Sequence, residues 1–146
     1  DEIWHAGDIG SMQVVEWMEE YKKPIRGVYG NIDFGDLKVR FPEDNIFQIE
    51  DVKVWMTHIG GYPGRYSSRV RSLFTEIQPT LFICGHSHIA LAQMDKRYNM
   101  LWLNPGACGF KGFHQVKTIF RFSISGEQIQ NLECIELGPR VRKIAD

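Results

Sequence analysis

Short apolar runs recur along the first part of the chain. The runs Ile25 to Tyr29, Val52 to Met56 and Leu81 to Cys84 are each bounded by glycine, proline or polar residues. Each run is too short for a helix, and this pattern is typical of a buried strand. The stretch from Ile3 to Asp8 has the same character, so we expect a strand to be already in progress where the sequence begins.

Two segments between these runs have the spacing of amphipathic helices. The first has Ser11 as a suitable N-cap and ends before Pro24. The second has apolar residues at i, i+3, i+4 and i+7 and ends before Pro79. Its apolar members are Val70, Leu73, Phe74 and Ile77. We interpret both helices as packing elements that cover a sheet.

The last third of the chain has the pattern of antiparallel hairpins. Phe120, Phe122 and Ile124 alternate with polar residues, Ser125-Gly126 supplies a turn, and an apolar segment returns from Ile129 to Leu137. A shorter hairpin is expected from Ile89 to Met94 and back through Met100 to Leu103. Strands, helices and hairpins in this order predict an α/β fold in one domain over residues 1–146.

Composition narrows the class of protein. The chain is 43% hydrophobic and 24% charged, which is ordinary for a globular domain with a real core. Its net charge of −1 gives no long-range field for collecting nucleic acid or an anionic membrane. No apolar run is long enough to span a bilayer, and the three widely spaced cysteines do not suggest a disulfide framework. We therefore expect a cytoplasmic protein.

A metal-capable side chain follows each of the four apolar strands. In chain order these sites are Gly7-Asp8, Gly30-Asn31, Thr57-His58 and Gly85-His86-Ser87-His88. In an open α/β sheet the carboxyl ends of the strands lie along one edge, where ligands bind. Glycine before three of the four sites lets the chain turn sharply out of a strand. We therefore expect Asp8, Asn31, His58, His86 and His88 to converge.

The residue types in this set favour a catalytic transition metal. Mixed oxygen and imidazole ligands suit Mn, Fe, Co, Ni or Zn better than calcium, and the set contains no thiolate. The carboxylate of Asp8 can bridge two cations held about 3.5–4 Å apart. Each motif alone is common in turns. An ordinary α/β domain with accidental motifs is therefore the competing interpretation.

The sequence resembles the calcineurin-like phosphoesterase superfamily, in particular its small prokaryotic phosphodiesterases. The matching stretches are His5-Ala6-Gly7-Asp8, Val28-Tyr29-Gly30-Asn31-Ile32-Asp33, Thr57-His58, Cys84-Gly85-His86-Ser87-His88 and Leu103-Asn104-Pro105-Gly106-Ala107. The resemblance implies a two-sheet sandwich flanked by helices. It also implies two divalent metal ions, with manganese as the first candidate and Fe, Ni, Co or Zn as others. The expected reaction is hydrolysis of a small phosphate ester by a water that the metals activate.

The resemblance also implies a role for each matching residue. Asp8 would bridge the metals, and Asn31, His58 and His86 would complete the shell of one ion, while His88 belongs to the other. Asp8, Asn31 and His58 would then act in catalysis. Arg65, on a glycine-rich loop after His58, is a candidate phosphate ligand, and its alternative is a solvated loop arginine. Asn104-Pro105-Gly106 is either a loop that closes the site or a plain turn.

Two departures from the family pattern bear on function. The family opens with an Asp-x-His motif one βα unit before the Gly-Asp motif, and no such stretch precedes Asp1. We therefore expect an incomplete N-terminus, and the alternative is a degenerate member that acts as a protein-binding scaffold. In addition, Ile32 stands where many larger members carry a histidine. Isoleucine cannot protonate a leaving group, which favours phosphodiesters. The sequence leaves the oligomeric state open.

Overall fold

A computed structural model describes residues 1–141 of the chain. The elements in chain order are β1 (Ile3–His5), α1 (Met12–Glu19), β2 (Ile25–Gly27), α2 (Asp36–Arg40), β3 (Asp44–Ile49), β4 (Val52–Thr57), β5 (Gly61–Tyr62), β6 (Arg65–Tyr66), α3 (Ser68–Ile77), β7 (Leu81–Ile83), β8 (Ala90–Asp95), β9 (Met100–Pro105), β10 (Val116–Ser125) and β11 (Gln128–Pro139). No helix within residues 1–141 has the length and apolar character needed to cross a membrane.

The largest sheet has five strands in the order β3-β4-β7-β9-β8. Its three central strands, β4, β7 and β9, run parallel, and β3 and β8 pair antiparallel at the two edges. Strands of a parallel sheet covered on both faces need apolar residues at successive positions. The run Leu81 to Cys84 meets this requirement, and every side chain of β7 is buried. The run Val52 to Met56 meets it at every position but Lys53, which is partly buried.

A second layer covers one face of this sheet. It consists of the parallel pair β1-β2 and the antiparallel hairpin β10-β11. Trp4 of β1 packs edge-on against Phe47 of the large sheet, with ring centroids 5.0 Å apart, and against Phe122 of the hairpin at 5.4 Å. The buried residues of the core on this face are Val28, Val52, Val54, Met56, Leu81, Ile83 and Leu103.

Helices cover the outer faces of both layers. Val70 and Phe74 of α3 pack with Trp55 and Phe82 on the far face of the large sheet. Helices α1 and α2 share a separate cluster whose buried residues are Ile9, Val15, Leu37 and Phe41. The prediction of an α/β two-sheet sandwich flanked by helices is confirmed. The single-domain prediction for residues 1–146 stays a prediction, because residues 142–146 lie outside the described part.

Two features of the sequence interpretation need correction. The four apolar strands are not consecutive, because β3 lies between β2 and β4. Nor do they share a sheet, since β1 and β2 belong to the covering layer, whereas β4 and β7 belong to the large sheet. Strand β3 is an edge strand with three polar residues among its six, so its apolar pattern is weak.

Candidate metal centre

The predicted ligands follow strands of both layers of the sandwich. Asp8 and Asn31 lie beyond the ends of β1 and β2, whereas His58 and His86 lie beyond the ends of β4 and β7. One carboxylate oxygen of Asp8 and one nitrogen from each of His58 and His86 lie within 4.8 Å of one another. The site therefore forms at the rim where the two layers meet, and not along one edge of a single sheet as expected.

Asn31 completes this group. Its Oδ1 atom lies 3.1 Å from His58 Nε2 and 2.9 Å from His86 Nδ1. His58 Nε2 is also 3.2 Å from Asp8 Oδ1. Four of the five predicted ligands are therefore brought together, and we call Asp8, Asn31, His58 and His86 the primary cluster.

The hydrogen bonding of His58 determines which of its nitrogens faces this cluster. His58 Nδ1 lies 2.7 Å from the backbone carbonyl oxygen of Ala6. Because a carbonyl oxygen can only accept, Nδ1 carries a proton and donates it to Ala6. In the neutral ring Nε2 then presents its lone pair to the oxygens of Asp8 and Asn31. A metal-binding histidine has this arrangement, with its other N–H held by a carbonyl or a carboxylate.

The donor set of the primary cluster fits a divalent cation. His58 Nε2, Asp8 Oδ1 and Asn31 Oδ1 are all acceptors when the ring is neutral, so they need a proton or a cation among them. His58 Nε2 lies 3.1 Å from Asn31 Oδ1 and 3.2 Å from Asp8 Oδ1, and His86 Nδ1 lies 2.9 Å from Asn31 Oδ1. These separations match neighbouring ligands on a shell with metal–ligand bonds of about 2.0–2.2 Å. Among cations, oxygen and imidazole nitrogen together suit a transition metal better than calcium.

Asp33 holds together the two loops that carry Asp8 and Asn31. Its buried carboxylate accepts hydrogen bonds from the backbone N–H groups of Ile9 at 3.0 Å, Gly10 at 2.8 Å and Gly30 at 2.7 Å. A carboxylate that accepts from several backbone N–H groups forms strong, charge-assisted bonds. Asp33 therefore positions both ligands without belonging to the primary cluster.

The backbone is strained at three of the predicted ligands. Asp8, His86 and His88 have φ values of 55°, 69° and 60°, in the left-handed region. This conformation costs a residue with a Cβ about 1–2 kcal/mol. Strain of this kind is found where surrounding structure imposes it, most often at functional sites.

Asn104 fastens the loop that carries His86 and His88. Its buried side-chain amide donates to the carbonyl oxygen of Gly85 at 2.8 Å and to Ser87 Oγ at 3.0 Å. The side-chain oxygen accepts from the Gly106 N–H at 3.0 Å. The Asn-Pro-Gly segment is thus more than a plain turn, because it supports the histidine loop directly.

His88 lies apart from the primary cluster. It is not part of the group with ligand atoms within 4.8 Å, and its ring packs edge-on against His114 at a centroid distance of 5.3 Å. Burial, followed by the nearby His114, lowers the pKa of His88, which favours the neutral ring. The loop glycines and phenylalanines around His114 gave no motif from which its proximity to His88 could be predicted.

A cleft of about 410 Å³ adjoins the primary cluster. Its lining residues are Tyr29, Gly30, Asn31, Lys38, Glu43, Thr57, His58, Ile59, Ser67 and Arg69. Arg65, the predicted phosphate ligand, is exposed on β6 and is not among them. Sequence reasoning did not single out Arg69, because it looked like an ordinary charge on the polar face of a helix. Lys38 lies on α2, a five-residue helix that the sequence did not predict.

The chain is similar in sequence to known phosphoesterases. A sequence model of the calcineurin-like phosphoesterase superfamily domain matches residues 1–127. A probable metallophosphoesterase of Methanothermobacter thermautotrophicus is 31% identical over 107 residues, which is 72% of this chain. The chain spans 59% of the length of that relative.

Solved structures share the fold at lower identity. Wild-type Vps29 of Entamoeba histolytica, complexed with Zn²⁺, has a TM-score of 0.72 at 12% identity, over 94% of this chain and 82% of that one. A protein characterised as a novel archaeal phosphodiesterase has a TM-score of 0.71 at 22% identity, over 94% of this chain and 83% of that one. At these identities the likeness establishes the fold.

Proposed function

The chain belongs to the calcineurin-like phosphoesterase superfamily, and from that premise we propose that it hydrolyses small phosphate esters, with phosphodiesters favoured. The observation that carries this proposal is the convergence of the primary cluster at the rim of the sandwich. Residues distant in the chain supply acceptor atoms to one point, which stable packing alone does not require.

Two divalent cations are the proposed cofactors, with manganese as the first candidate. Asp8, Asn31, His58 and His86 would hold one ion, and His88 would serve the other. When bound, such ions supply an activated water and neutralise the charge of the phosphate oxygens. Zn²⁺ in the structurally similar Vps29 supports a metal at this fold.

The residues of the chain contribute orientation and charge. Asp8, Asn31 and His58 are the proposed catalytic residues. The Ile32 N–H donates to Asp8 Oδ1 at 3.2 Å and so helps to orient that carboxylate. Lys38 at the rim of the cleft can attract an anionic substrate. Arg65 remains a proposed phosphate ligand that would have to reach over from β6.

The preference for diesters follows from Ile32. Its side chain is 50% exposed beside Asp8 and carries no group that could protonate a leaving alkoxide. A diester with a good leaving group needs less help at that step. The similar archaeal phosphodiesterase supports the same choice.

Turnover of a bis(aryl) phosphate diester by the full-length protein tests the proposal. We expect hydrolysis that requires added Mn²⁺, and we expect Asp8→Asn to lose at least about 100-fold in kcat together with bound metal. Asp51→Asn is the matched control, because Asp51 is an exposed carboxylate in the β3–β4 turn. This variant should keep both the activity and the bound metal. Full activity of Asp8→Asn would overturn the role given to that residue.

A protein-binding scaffold is the second candidate function. It is favoured by large apolar side chains exposed on and just before α2, where Phe34 is 79% and Val39 is 88% exposed. Absence of turnover with every one of Mn²⁺, Zn²⁺, Ni²⁺ and Co²⁺ would favour this candidate over the hydrolase.

We also propose the cytoplasm as the compartment, because Cys84, Cys108 and Cys134 are all unpaired thiols.

A further inference from the structure

The cleft beside the primary cluster shares two residues with that cluster. Asn31 and His58 line the cleft, and both also belong to the primary cluster. A phosphate group held at the cluster can therefore extend one of its substituents directly into the cleft. The cleft volume of about 410 Å³ lies in the range of pockets that enclose small organic groups.

Polar side chains of the cleft are already engaged within the protein. Thr57 Oγ1 donates to the backbone carbonyl oxygen of Glu43 at 3.2 Å and accepts from Arg69 Nη2 at 2.7 Å. Ser67 Oγ accepts from the Val70 N–H at 3.4 Å as the N-cap of α3. A polar ligand group would have to displace one of these hydrogen bonds to form its own, so the net gain would be small.

The charges around the cleft are balanced. Arg69 Nη1 lies 2.6 Å from Asp44 Oδ2, and Arg69 Nε lies 3.7 Å from Glu43 Oε1. Lys38 Nζ lies 4.8 Å from the centroid of the Tyr29 ring, which is a cation–π contact. These two cations and two carboxylates leave no net charge beside the cleft. A second anionic group on a substrate would therefore gain little from binding there.

Tyr29 and Ile59 supply apolar surface to the cleft. The side chain of Ile59 is 46% exposed, so part of it is available for contact. The backbone beside each residue is held by a hydrogen bond. The Ser67 N–H donates to the Gly60 carbonyl oxygen at 3.0 Å, and the Tyr29 N–H donates to the Pro42 carbonyl oxygen at 3.0 Å. A surface held in place before binding loses less conformational freedom when a ligand arrives.

We propose that this cleft binds one ester group of the substrate and selects an uncharged aromatic group, which packs against Tyr29 and Ile59. An aromatic ring buries a large apolar area and pairs favourably with another ring, and it needs no hydrogen bond in the cleft. The preferred substrates are then aryl phosphodiesters, in contrast to esters that carry a second charged phosphate. The inference rests on the proposed function, because it places the substrate phosphate at the primary cluster.

Equilibrium binding of phosphonates to the Zn²⁺-loaded full-length protein tests the proposal without turnover. Phenylphosphonate and methylphosphonate carry the same acidic group and differ in the ring. We expect phenylphosphonate to bind about 10-fold more tightly, which corresponds to roughly 60 Å² of apolar surface removed from water at about 25 cal/mol per Å². Para-phosphonobenzoate, which adds a carboxylate to the ring, should bind more weakly than phenylphosphonate. Equal binding of the phenyl and methyl compounds, or tightest binding of the carboxylate, would overturn the proposal.

NMR of the same phenylphosphonate complex locates the ring. Because Zn²⁺ is diamagnetic, nuclear Overhauser effects between ligand and protein protons remain measurable. We expect such effects from the ligand ring to the methyl groups of Ile59 and to the ring of Tyr29. This measurement needs no substitution and so does not depend on a variant that folds. Effects to neither residue would show that the ring binds elsewhere, which would refute the proposal.

Ile59→Ala should weaken the binding of phenylphosphonate about 4-fold relative to that of methylphosphonate, the effect of roughly one buried methylene group. Ile46→Ala is the matched control, because Ile46 is 47% exposed and lies on β3 away from the residues that line the cleft. It should keep the wild-type preference for the phenyl compound. An Ile59→Ala variant with that same preference would contradict the role given to Ile59.

Hydrolysis of the bis(aryl) diester by the same samples separates this inference from the proposed function. If the wild type hydrolyses the diester but binds the phenyl and methyl compounds equally, the function stands and the aromatic subsite is wrong. If the wild type prefers the phenyl compound but shows no turnover with any metal, the subsite stands and the hydrolase is wrong.

Discussion

Arg69 of α3 forms a two-contact ion pair with Asp44 of β3. Arg69 Nη1 lies 2.6 Å from Asp44 Oδ2, and Nη2 lies 3.3 Å from Oδ1. Arg69 Nη2 also donates to Thr57 Oγ1 at 2.7 Å, one residue before His58. The pair therefore ties α3 to the large sheet beside the primary cluster, and it leaves Arg69 engaged with the protein and not free for a substrate.

The ion pair makes stability depend on acid pH. Burial raises the pKa of Asp44, but the hydrogen bonds from Arg69 and Trp55 outweigh burial and hold the pKa below its ordinary value of 3.8. A carboxyl whose pKa is lower in the folded state stabilises the fold above the unfolded pKa, and this contribution is lost as pH falls through the folded value. We expect the advantage of the wild type over Asp44→Asn in urea unfolding to shrink below about pH 4.

Asp51→Asn is the control for this pH series, because Asp51 is exposed in a turn. Its difference from the wild type should be small at every pH. A constant difference between the wild type and Asp44→Asn from pH 6 to pH 2.5 would contradict the proposed linkage.

Asp33→Ala should destabilise the protein and weaken metal binding together. The substitution leaves three backbone N–H groups without their acceptor, two of them in buried residues, at about 1–3 kcal/mol for each buried group. We expect a loss of roughly 2–4 kcal/mol in the free energy of unfolding. Thermal denaturation and metal titration measure the two effects. Asp51→Ala, which removes an exposed carboxylate, should change neither the stability nor the metal binding. If Asp33→Ala also changed neither, the two loops would be held without the hydrogen bonds to Asp33.

Gly30→Ala should disable the site by steric conflict. A Cβ on Gly30 would lie 2.1 Å from Asp8 Oδ1 and 2.2 Å from the Asp8 backbone nitrogen, so Asp8 must move. A displacement of about 1 Å at a catalytic group can cost about 100-fold in rate, which we expect in kcat/KM along with weaker metal binding. Gly109→Ala is the matched control, since a Cβ there meets nothing within 4 Å. Equal activity of the two variants would show that Asp8 tolerates the shift.

The three cysteines should differ sharply in reactivity. Burial raises the pKa of Cys84 to about 12, and its thiol donates to the Gly61 carbonyl oxygen at 3.3 Å. Cys108 and Cys134 are exposed. Because the thiolate is the reactive form, an aromatic disulfide reagent should count two thiols in the native protein and three after denaturation. A third thiol that reacts rapidly without denaturant would show that the core around Cys84 opens.

Much of the fold was predictable from local patterns. The interval of 3.6 residues in Val70, Leu73, Phe74 and Ile77 predicted α3, and this helix packs as expected. The short, largely apolar runs predicted β4 and β7, because strands buried on both faces need apolar residues at nearly every position. Helix α2 has only five residues, and β3 mixes polar and apolar positions, so neither gives a strong periodic signal.

The candidate ligands were also identifiable from the sequence, because each lies just after a predicted strand. The ends of these four strands together contain an unusual concentration of metal-binding side chains. The position of each ligand in the two layers could not be predicted from the sequence. That Asp8 and Asn31 come from one layer and His58 and His86 from the other depends on how the sheets stack, which no local pattern encodes. The same holds for the carbonyl of Ala6, which selects the tautomer of His58 from 52 residues away.

By itself the sequence determined which residue types could bind a metal and which segments would be strands or helices, because side-chain chemistry and hydrophobic period are local properties. Only the tertiary structure decided that His88 faces His114 and that Lys38 and Arg69, in place of Arg65, line the cleft. The physical reason is that such neighbours are brought together by the packing of layers distant in the chain, which depends on the whole core.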